Sequence, residues 1–335
     1  MARKRRAYPL IEGLEITSLA AEGKSIGRHE GAVVFVPMTV PGDVVDVQIR
    51  AKHRRFMEGT VVRFVKRSDK RVEPVCEHFG VCGGCKWQNL PYDEQLRYKT
   101  EQVRDQLTRI GKVELPEIRP CLGSAKQLFY RNKLEFTFAD RRWLTYDEIA
   151  AGGEIEPAPA LGFHVPSMFD KVLDINKCWL QADPSNEIRN EIKRYCIEHD
   201  YSFHNVREHR GLMRGIIIRT ASTGDVMLSV IFNENDQPRI KALLDHIHKQ
   251  FPQITSLIYF VNEKWNDSLT DQTPVCYWGK DHIFEEMEGL RFKVGPKSFY
   301  QTNSAQAYEL YKVAREFADL EPTDTLYDLY TGTGT

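Results

Sequence analysis

Three cysteines fall within ten residues, Cys76, Cys82 and Cys85, at C-x5-C-x2-C spacing, with Gly83 and Gly84 between the last two. Glycines there let the backbone turn tightly enough for several sulfurs to face one point. Thiolates bind soft or borderline metals, which leaves zinc and an iron–sulfur cluster as the two options. Zinc knuckles pair two ligands with a second pair at similar spacing. Three crowded cysteines with a remote fourth favour a cubane cluster, with zinc as the minority reading. The fourth candidate is Cys178, in Asp174-Ile-Asn-Lys-Cys178-Trp-Leu-Gln181. Taken alone, a cysteine beside Trp179 and Leu180 is more often a small core residue. Cys121, Cys196 and Cys276 read the same way.

A second stretch carries chemistry at the other end. Thr325-Leu-Tyr-Asp-Leu-Tyr330, followed by Thr331-Gly332-Thr333-Gly334-Thr335, has the pattern of a strand entering a nucleotide-binding G-x-G turn. The same pattern also fits an ordinary loop. Gln301 is a lone polar residue beside Phe299 and Tyr300, ahead of a helix start. Arg131 and Lys133 flank a strand, and His209, Arg210 and Arg214 form a basic cluster. Arg131 and Lys133 could meet phosphate or simply water, Gln301 can equally be a helix-flanking residue with no special role, and a histidine such as His209 is far more often a surface or satisfied core residue than a catalyst.

These residues need elements to hold them. The chain of 335 residues is 41% hydrophobic and 28% charged, ordinary globular material for two or three domains. Seven cysteines, an odd number, do not make a disulfide framework, so a reducing cytoplasm is expected. Arg3–Arg6 could open a signal peptide, but Glu12, Gly13 and Glu15 interrupt the apolar run that should follow. No apolar run approaches a membrane span. Residues 1–75 hold 15 Lys+Arg against 9 Asp+Glu, a net +6, so the remainder of this chain of net charge −1 carries −7. That asymmetry suits a polyanion-binding appendage, or a solvated basic face.

Residues 10–67 read as β-structure, with runs at 31–36, 43–49 and 59–65 separated by Gly and Pro-Gly turns. Three or four short strands suggest a small barrel of the OB type. Lys52, Arg54, Arg55, Arg63, Lys66, Arg67, Lys70 and Arg71 lie between and after them. Phe56 and Phe64 among these cations suit base stacking, although Phe64 reads better as a core residue. A helix over 91–110 follows, with Tyr92, Leu96, Val103, Leu107 and Ile110 at helical spacing. From about 126 the pattern is α+β: strands at 133–138, 215–219, 226–232 and 256–261, and helices from Pro184 to about 200 and over 238–250. Gly152–Pro166 reads as loop. A helix over Ser304–Ala318 precedes the strand at 325–330.

Together these stretches resemble a known family. Val34-Phe-Val-Pro37, Pro41-Gly-Asp-Val-Val45 and Lys70-Arg-Val-Glu-Pro74 look like a TRAM domain, a small RNA-binding barrel. Its junction with Cys76…Cys85 and Tyr92-x-x-Gln95-x-x-x-Lys99 is similar to the iron–sulfur RNA (uracil-5-)-methyltransferases. Leu161-Gly-Phe163, Asp174…Gln181, Phe299-Tyr-Gln-Thr-Asn303 and Asp328-Leu-Tyr-x-Gly-x-Gly334 extend the likeness over essentially the whole chain. Within the family it looks most like the 23S ribosomal RNA enzymes, since the transfer-RNA branch is expected to lack both barrel and cluster.

The resemblance implies a multidomain α+β fold: an OB-like TRAM barrel at 8–68; a central α/β iron–sulfur domain at 74–90 and 120–292; and the start of a Rossmann-like methyltransferase domain at 91–119 and 293–335. It implies a 4Fe–4S cluster on Cys76, Cys82, Cys85 and Cys178, and S-adenosylmethionine contacts from Gln301, Tyr330 and Thr335. Thr335 stands where many relatives have Asn. The implied chemistry is covalent. A cysteine thiolate adds to C6 of a flipped-out uracil, C5 takes the methyl group, and a base removes the C5 proton as the thiolate leaves. None of the seven cysteines matches the nucleophile's motif, so nucleophile and base are expected downstream of Thr335. The chain is expected to be a monomeric, inactive fragment of a cytoplasmic 23S rRNA methyltransferase. Two rivals stand beside this reading. A radical S-adenosylmethionine enzyme would use C-x3-C-x2-C and place TRAM at its other end. A non-catalytic RNA-binding protein with a metal-stabilised fold would need no downstream chemistry.

Overall fold

The computed structural model describes residues 8–153 and 157–335. The basic run Arg3–Arg6 lies outside them. Two compact units are formed: residues 1–80 with 84–123, and residues 81–83 with 124–335.

The first unit is built on five strands, β1 (Leu10–Leu19), β2 (Lys24–His29), β3 (Ala32–Pro37), β4 (Val44–Lys52) and β5 (Phe56–Lys66). They close into a barrel in the order β1-β2-β3-β5-β4, with β3 and β5 pairing in parallel and the rest antiparallel. The alternation read from sequence is the reason. Val34, Val36, Val45, Val47 and Ile49 point inward and meet Ile11, Leu14, Ile16 and Met57 in one core. Phe64 is only half-buried against that core.

After the cysteine segment comes α1 (Tyr92–Asp105), continued by a wider turn over Gln106–Ile110. It belongs to the same compact unit as the barrel, whereas the resemblance grouped 91–119 with the methyltransferase domain. Tyr98 is the residue it buries, in a cluster with Leu19, Val40 and Leu90. The apolar stripe expected to seat this helix is in large part open: Val103, Leu107 and Ile110 are exposed.

The second unit is a seven-stranded sheet with helices. Its strands and helices are β6 (Lys133–Ala139), α2 (Tyr146–Ala151), β7 (Ala160–His164), β8 (Val172–Asp174), α3 (Ser185–Glu198), β9 (Met213–Thr220), β10 (Val226–Phe232), α4 (Gln237–Gln250), β11 (Ser256–Val261) and β12 (Val275–Gly279). The strand order is β12-β11-β10-β9-β6-β7-β8, antiparallel except for β10 with β11. The expected hairpin is present as β9–β10. α3 buries Ile188, Ile192, Tyr195 and Cys196, and α4 buries Ile240, Leu243, Leu244 and Ile247. The two helices lie side by side, with His246 Nε2 2.6 Å from Glu191 Oε1. A separate hairpin, β13 (Ile283–Met287) with β14 (Leu290–Val294), leads to α5 (Ser304–Ala318).

Three expectations change here. The stretch read as loop at 152–166 contains β7, held between β6 and β8; residues 154–156 of it lie outside the described residues. Gly162 is what lets the strands approach, since a Cβ there would meet the Leu173 carbonyl at 2.0 Å. The strand expected at 325–330 does not form. No strand pairs with it among the described residues, and Leu326, Tyr327, Leu329 and Tyr330 are all exposed. Cys276, read as a core residue, is exposed, because β12 is the outermost strand.

Candidate functional site

In the barrel, the β4–β5 turn gathers the features that the basic N-terminal charge pointed to. Lys52, His53, Arg54 and Arg55 are exposed, and neither Arg54 nor Arg55 has an ion-pair partner among the described residues. His53 stacks on Phe56 with centroids 4.3 Å apart, and Phe56 meets Phe35 edge-on at 5.5 Å. Free cations beside a stacked pair of rings are suited to unpaired nucleotides.

A second basic patch is fixed rather than free. The Asp43 carboxylate is fully buried and accepts from the Val40 amide at 2.7 Å and the Ser68 amide at 2.9 Å. Arg71 adds a two-pronged pair, Nε at 2.8 Å and Nη2 at 2.7 Å. Burial pushes this carboxyl up, but the Arg71 fork and the two amides outweigh it and hold it below its usual range. Arg71 and Arg67 then lie over the Phe64 ring, 4.9 and 4.5 Å from its centroid. Phe64 is therefore both a flank of the core and a platform for cations.

Of the cysteines, Cys76 and Cys85 lie in the first unit, and Cys82 and Cys178 in the second. None of the seven is joined in a disulfide among the described residues. The Cys76 amide donates to Gln88 Oε1 at 3.2 Å, and its carbonyl accepts from the Phe79 amide at 3.1 Å. Burial, followed by the neighbouring Cys85, pushes the Cys76 thiol up. Cys178 is buried, and both its backbone groups are held by Asn186. Asn186 is in turn bonded by the fully buried Arg189, whose guanidinium also donates to the Asn176 carbonyl at 2.6 Å. Among the described residues, no three His, Cys, Asp or Glu side chains are arranged to hold a metal ion.

In the second unit, Gln301 has an exposed side chain, and its carbonyl accepts from Asn132 Nδ2 at 2.8 Å. Arg131, open in sequence to phosphate or to water, reaches Thr302 Oγ1 at 3.4 Å. Lys133 pairs with Glu135. Tyr330 is wholly exposed at φ 65°, and Thr335 Oγ1 lies 3.3 Å from the Tyr311 hydroxyl. Gly332 and Gly334 both take the left-handed conformation that only glycine adopts without strain, at φ 62° and 82°. The sequence reading missed Asp43, Arg189 and Arg214 as buried anchors. The one signal for Asp43 is its place in Pro41-Gly42-Asp43, a turn whose acid can bond the following amides.

Known proteins match these features. The model of the TRAM domain matches residues 11–62, which span most of the five-stranded barrel. A Bacteroides thetaiotaomicron protein described as an uncharacterized RNA methyltransferase is 58% identical over 95% of this chain and 70% of its own length. A Porphyromonas gingivalis protein of the same description is 52% identical over 96% of this chain and 70% of its own. Among solved structures, the Pyrococcus abyssi tRNA (uracil-54, C5)-methyltransferase in complex with S-adenosyl-L-homocysteine shares the fold. Its TM-score is 0.65 at 24% identity, over 95% of this chain and 67% of that one.

Proposed function

We propose a function on one premise: the chain belongs to the RNA methyltransferases, and residues 11–62 are its TRAM domain. The proposed reaction is methylation of C5 of a uridine in RNA, with S-adenosylmethionine as methyl donor and 23S ribosomal RNA as substrate. The observation that carries it is the 58% identity, over 95% of the chain, to a protein described as an RNA methyltransferase. The C-x5-C-x2-C segment, Asp174–Gln181 and Phe299–Asn303 support uracil C5 in particular. Transfer RNA carrying uracil-54 is the second reading, favoured by the fold neighbour's own substrate.

Each part of the chain has a part in this proposal. The β4–β5 turn meets the RNA through Lys52, Arg54 and Arg55. Changing all three to alanine is expected to lower the slope of log affinity against log salt by about 2, at roughly 0.7 per phosphate contact on single strands. Gln301, Tyr330 and Thr335 hold the methyl donor, which supplies an electrophilic methyl group when bound. The space beside Gly332 and Gly334 suits this role, since a Cβ on either would find its nearest neighbour only at 3.8 or 3.9 Å. No residue here is assigned as nucleophile or base. Burial raises the thiols of Cys76 and Cys196, the opposite of an activated nucleophile. The isolated chain is therefore expected to transfer no methyl group.

A gene deletion tests the reaction. Nucleoside digests should lose 5-methyluridine from 23S rRNA. Loss at position 54 of transfer RNA instead would establish the second reading, and unchanged 5-methyluridine in both would overturn the proposal.

The cluster proposed with this reading is assigned to Cys76, Cys82, Cys85 and Cys178, and what supports it is the C-x5-C-x2-C spacing of the first three. Its role is structural, since the reaction moves no electrons. Anaerobically purified protein should carry about four iron and four labile sulfide per chain. Equimolar zinc without sulfide would overturn the assignment.

A further inference from the structure

A cavity of about 520 Å³ lies in the second unit, beside the ends of β6 and β8 and the segment 204–210. None of the residues proposed above to meet RNA, methyl donor or metal lines it. Its volume is that of a small-ligand pocket.

Its wall is cationic. Arg141, Arg142, Lys171, Arg207, Arg210 and Arg214 all line it, against Asp140, Asp170, Glu208 and Asp267. The acids are already committed. Asp170 is shared by Arg207 at 2.5 Å and Lys171 at 3.5 Å, and Asp140 accepts from Asn205 Nδ2 at 2.8 Å. Glu208 pairs with Arg210, and Asp267 with Arg214. Arg141 is exposed and has no ion-pair partner among the described residues. Two aromatic rings belong to the same wall. Trp143 is half-buried, and Phe169 is 68% exposed, with the Arg207 guanidinium 5.6 Å from its centroid. A large apolar ring left open beside cations is a stacking platform.

The wall also contains a group with an unmet hydrogen bond. His204 is 4% exposed, and its Nε2 is buried without a partner. Burial, with help from Arg214 and His209, pushes its pKa down to about 4, so the ring is neutral at pH 7. Native structures rarely leave such a group unsatisfied without a ligand or water in reach.

We propose that this cavity takes one unstacked nucleotide of a single-stranded RNA. The base lies against Phe169 and Trp143, the phosphate faces Arg141 and Arg210, and His204 Nε2 bonds the base edge. The inference rests on the RNA reading and adds a second, separate grip on the strand. Neutral ring, rings for stacking and unpaired guanidinium suit a nucleotide, whereas phosphate alone would use only the last.

The test is fluorescence anisotropy of the whole chain with a labelled single-stranded RNA of about 12 nucleotides. Phe169→Ala and Arg141→Ala remove exposed side chains, so the fold should survive, as thermal melting would verify. Each is expected to weaken binding about tenfold. Arg141→Ala should also lower the salt slope by about 0.7, while Phe169→Ala leaves it unchanged. AMP and UMP should compete only weakly. If both variants bind like wild type while the Lys52/Arg54/Arg55 variant is impaired, the cavity assignment fails and the RNA reading stands. Failure of the wild-type chain to bind RNA would overturn both. Equal competition by a free mononucleotide would overturn assignment to a strand.

Discussion

Replacing Asp43 with alanine is expected to destabilise the barrel unit by about 3–5 kcal/mol, the cost of breaking a buried charge pair from one side. Asp43 is fully buried and satisfies the Val40 and Ser68 amides as well as both prongs of Arg71. Alanine leaves two buried amide donors without acceptors and a largely buried guanidinium, 15% exposed, with only the Met38 carbonyl at 3.1 Å and no counter-charge. Asp43→Asn keeps the size and some of the bonds, so it should cost less but still leave Arg71 unneutralised. The pH dependence has a definite sign. The carboxyl is held below its unfolded value of about 3.9, so its contribution is fully present above that pH. It is lost as pH falls through the lower, folded value. Denaturant midpoints for wild type and Asp43→Asn should therefore differ most at neutral pH and converge towards pH 3. A constant gap would refute the linkage. The Arg71–Phe64 stack would loosen as well, seen as altered exposure of the barrel's basic patch to chemical modification.

Arg214→Leu is the second large effect, again about 3–5 kcal/mol. This guanidinium is 4% exposed and serves as the hub of the segment after β11. Nη1 donates to the carbonyls of Asn262 at 2.5 Å and Lys264 at 2.7 Å; Nη2 donates to the Asn266 carbonyl at 2.8 Å and Asp267 Oδ1 at 2.9 Å. Leucine would leave the buried Asn262 carbonyl and the other acceptors without their shared donor. Arg214→Lys keeps the charge but presents a single ammonium to four oxygens spread over six residues, so it should recover less than half of the loss. Hydrogen exchange in the second unit should quicken first over 262–268 in both variants. Unchanged protection there would show that the segment holds itself.

Much of the architecture could be read from alternation. Val34 and Val36, or Val45, Val47 and Ile49, declare an inward face whatever they pair with, and the β9–β10 hairpin follows from Ser222-Thr-Gly-Asp225 between two apolar runs. What the pattern does not encode is partner choice over distance. Arg214 was legible only as one of three basic residues near 209–214, because the acceptors after β11 lie about 50 residues away and three of them are backbone carbonyls, identical in every sequence. Arg189 likewise carries no signal in the sequence, since what makes it a core group is its bonds to Asn176 and Asn186. The run 325–330 fails in the opposite sense. Its residues carry strand propensity, but a strand exists only by pairing, and among the described residues nothing pairs with it. Of the residues named for the methyl donor, Gln301 is exposed and Tyr330 gains no packing at all.

The parallel β3–β5 pairing that completes the ring of the barrel has a further effect. A closed ring offers no row of unpaired amides and carbonyls, so another polypeptide cannot extend it by strand addition, and self-templated aggregation cannot start there. The seven-stranded sheet has no such protection. One outer strand, β8, is only three residues long and makes a poor template. The other, β12, runs Val275-Cys-Tyr-Trp-Gly279, with Val275, Cys276 and Trp278 open and no lysine or proline within it. The colloidal weak point of this protein therefore lies at β12, far in sequence from the basic barrel that would otherwise attract attention as its stickiest surface.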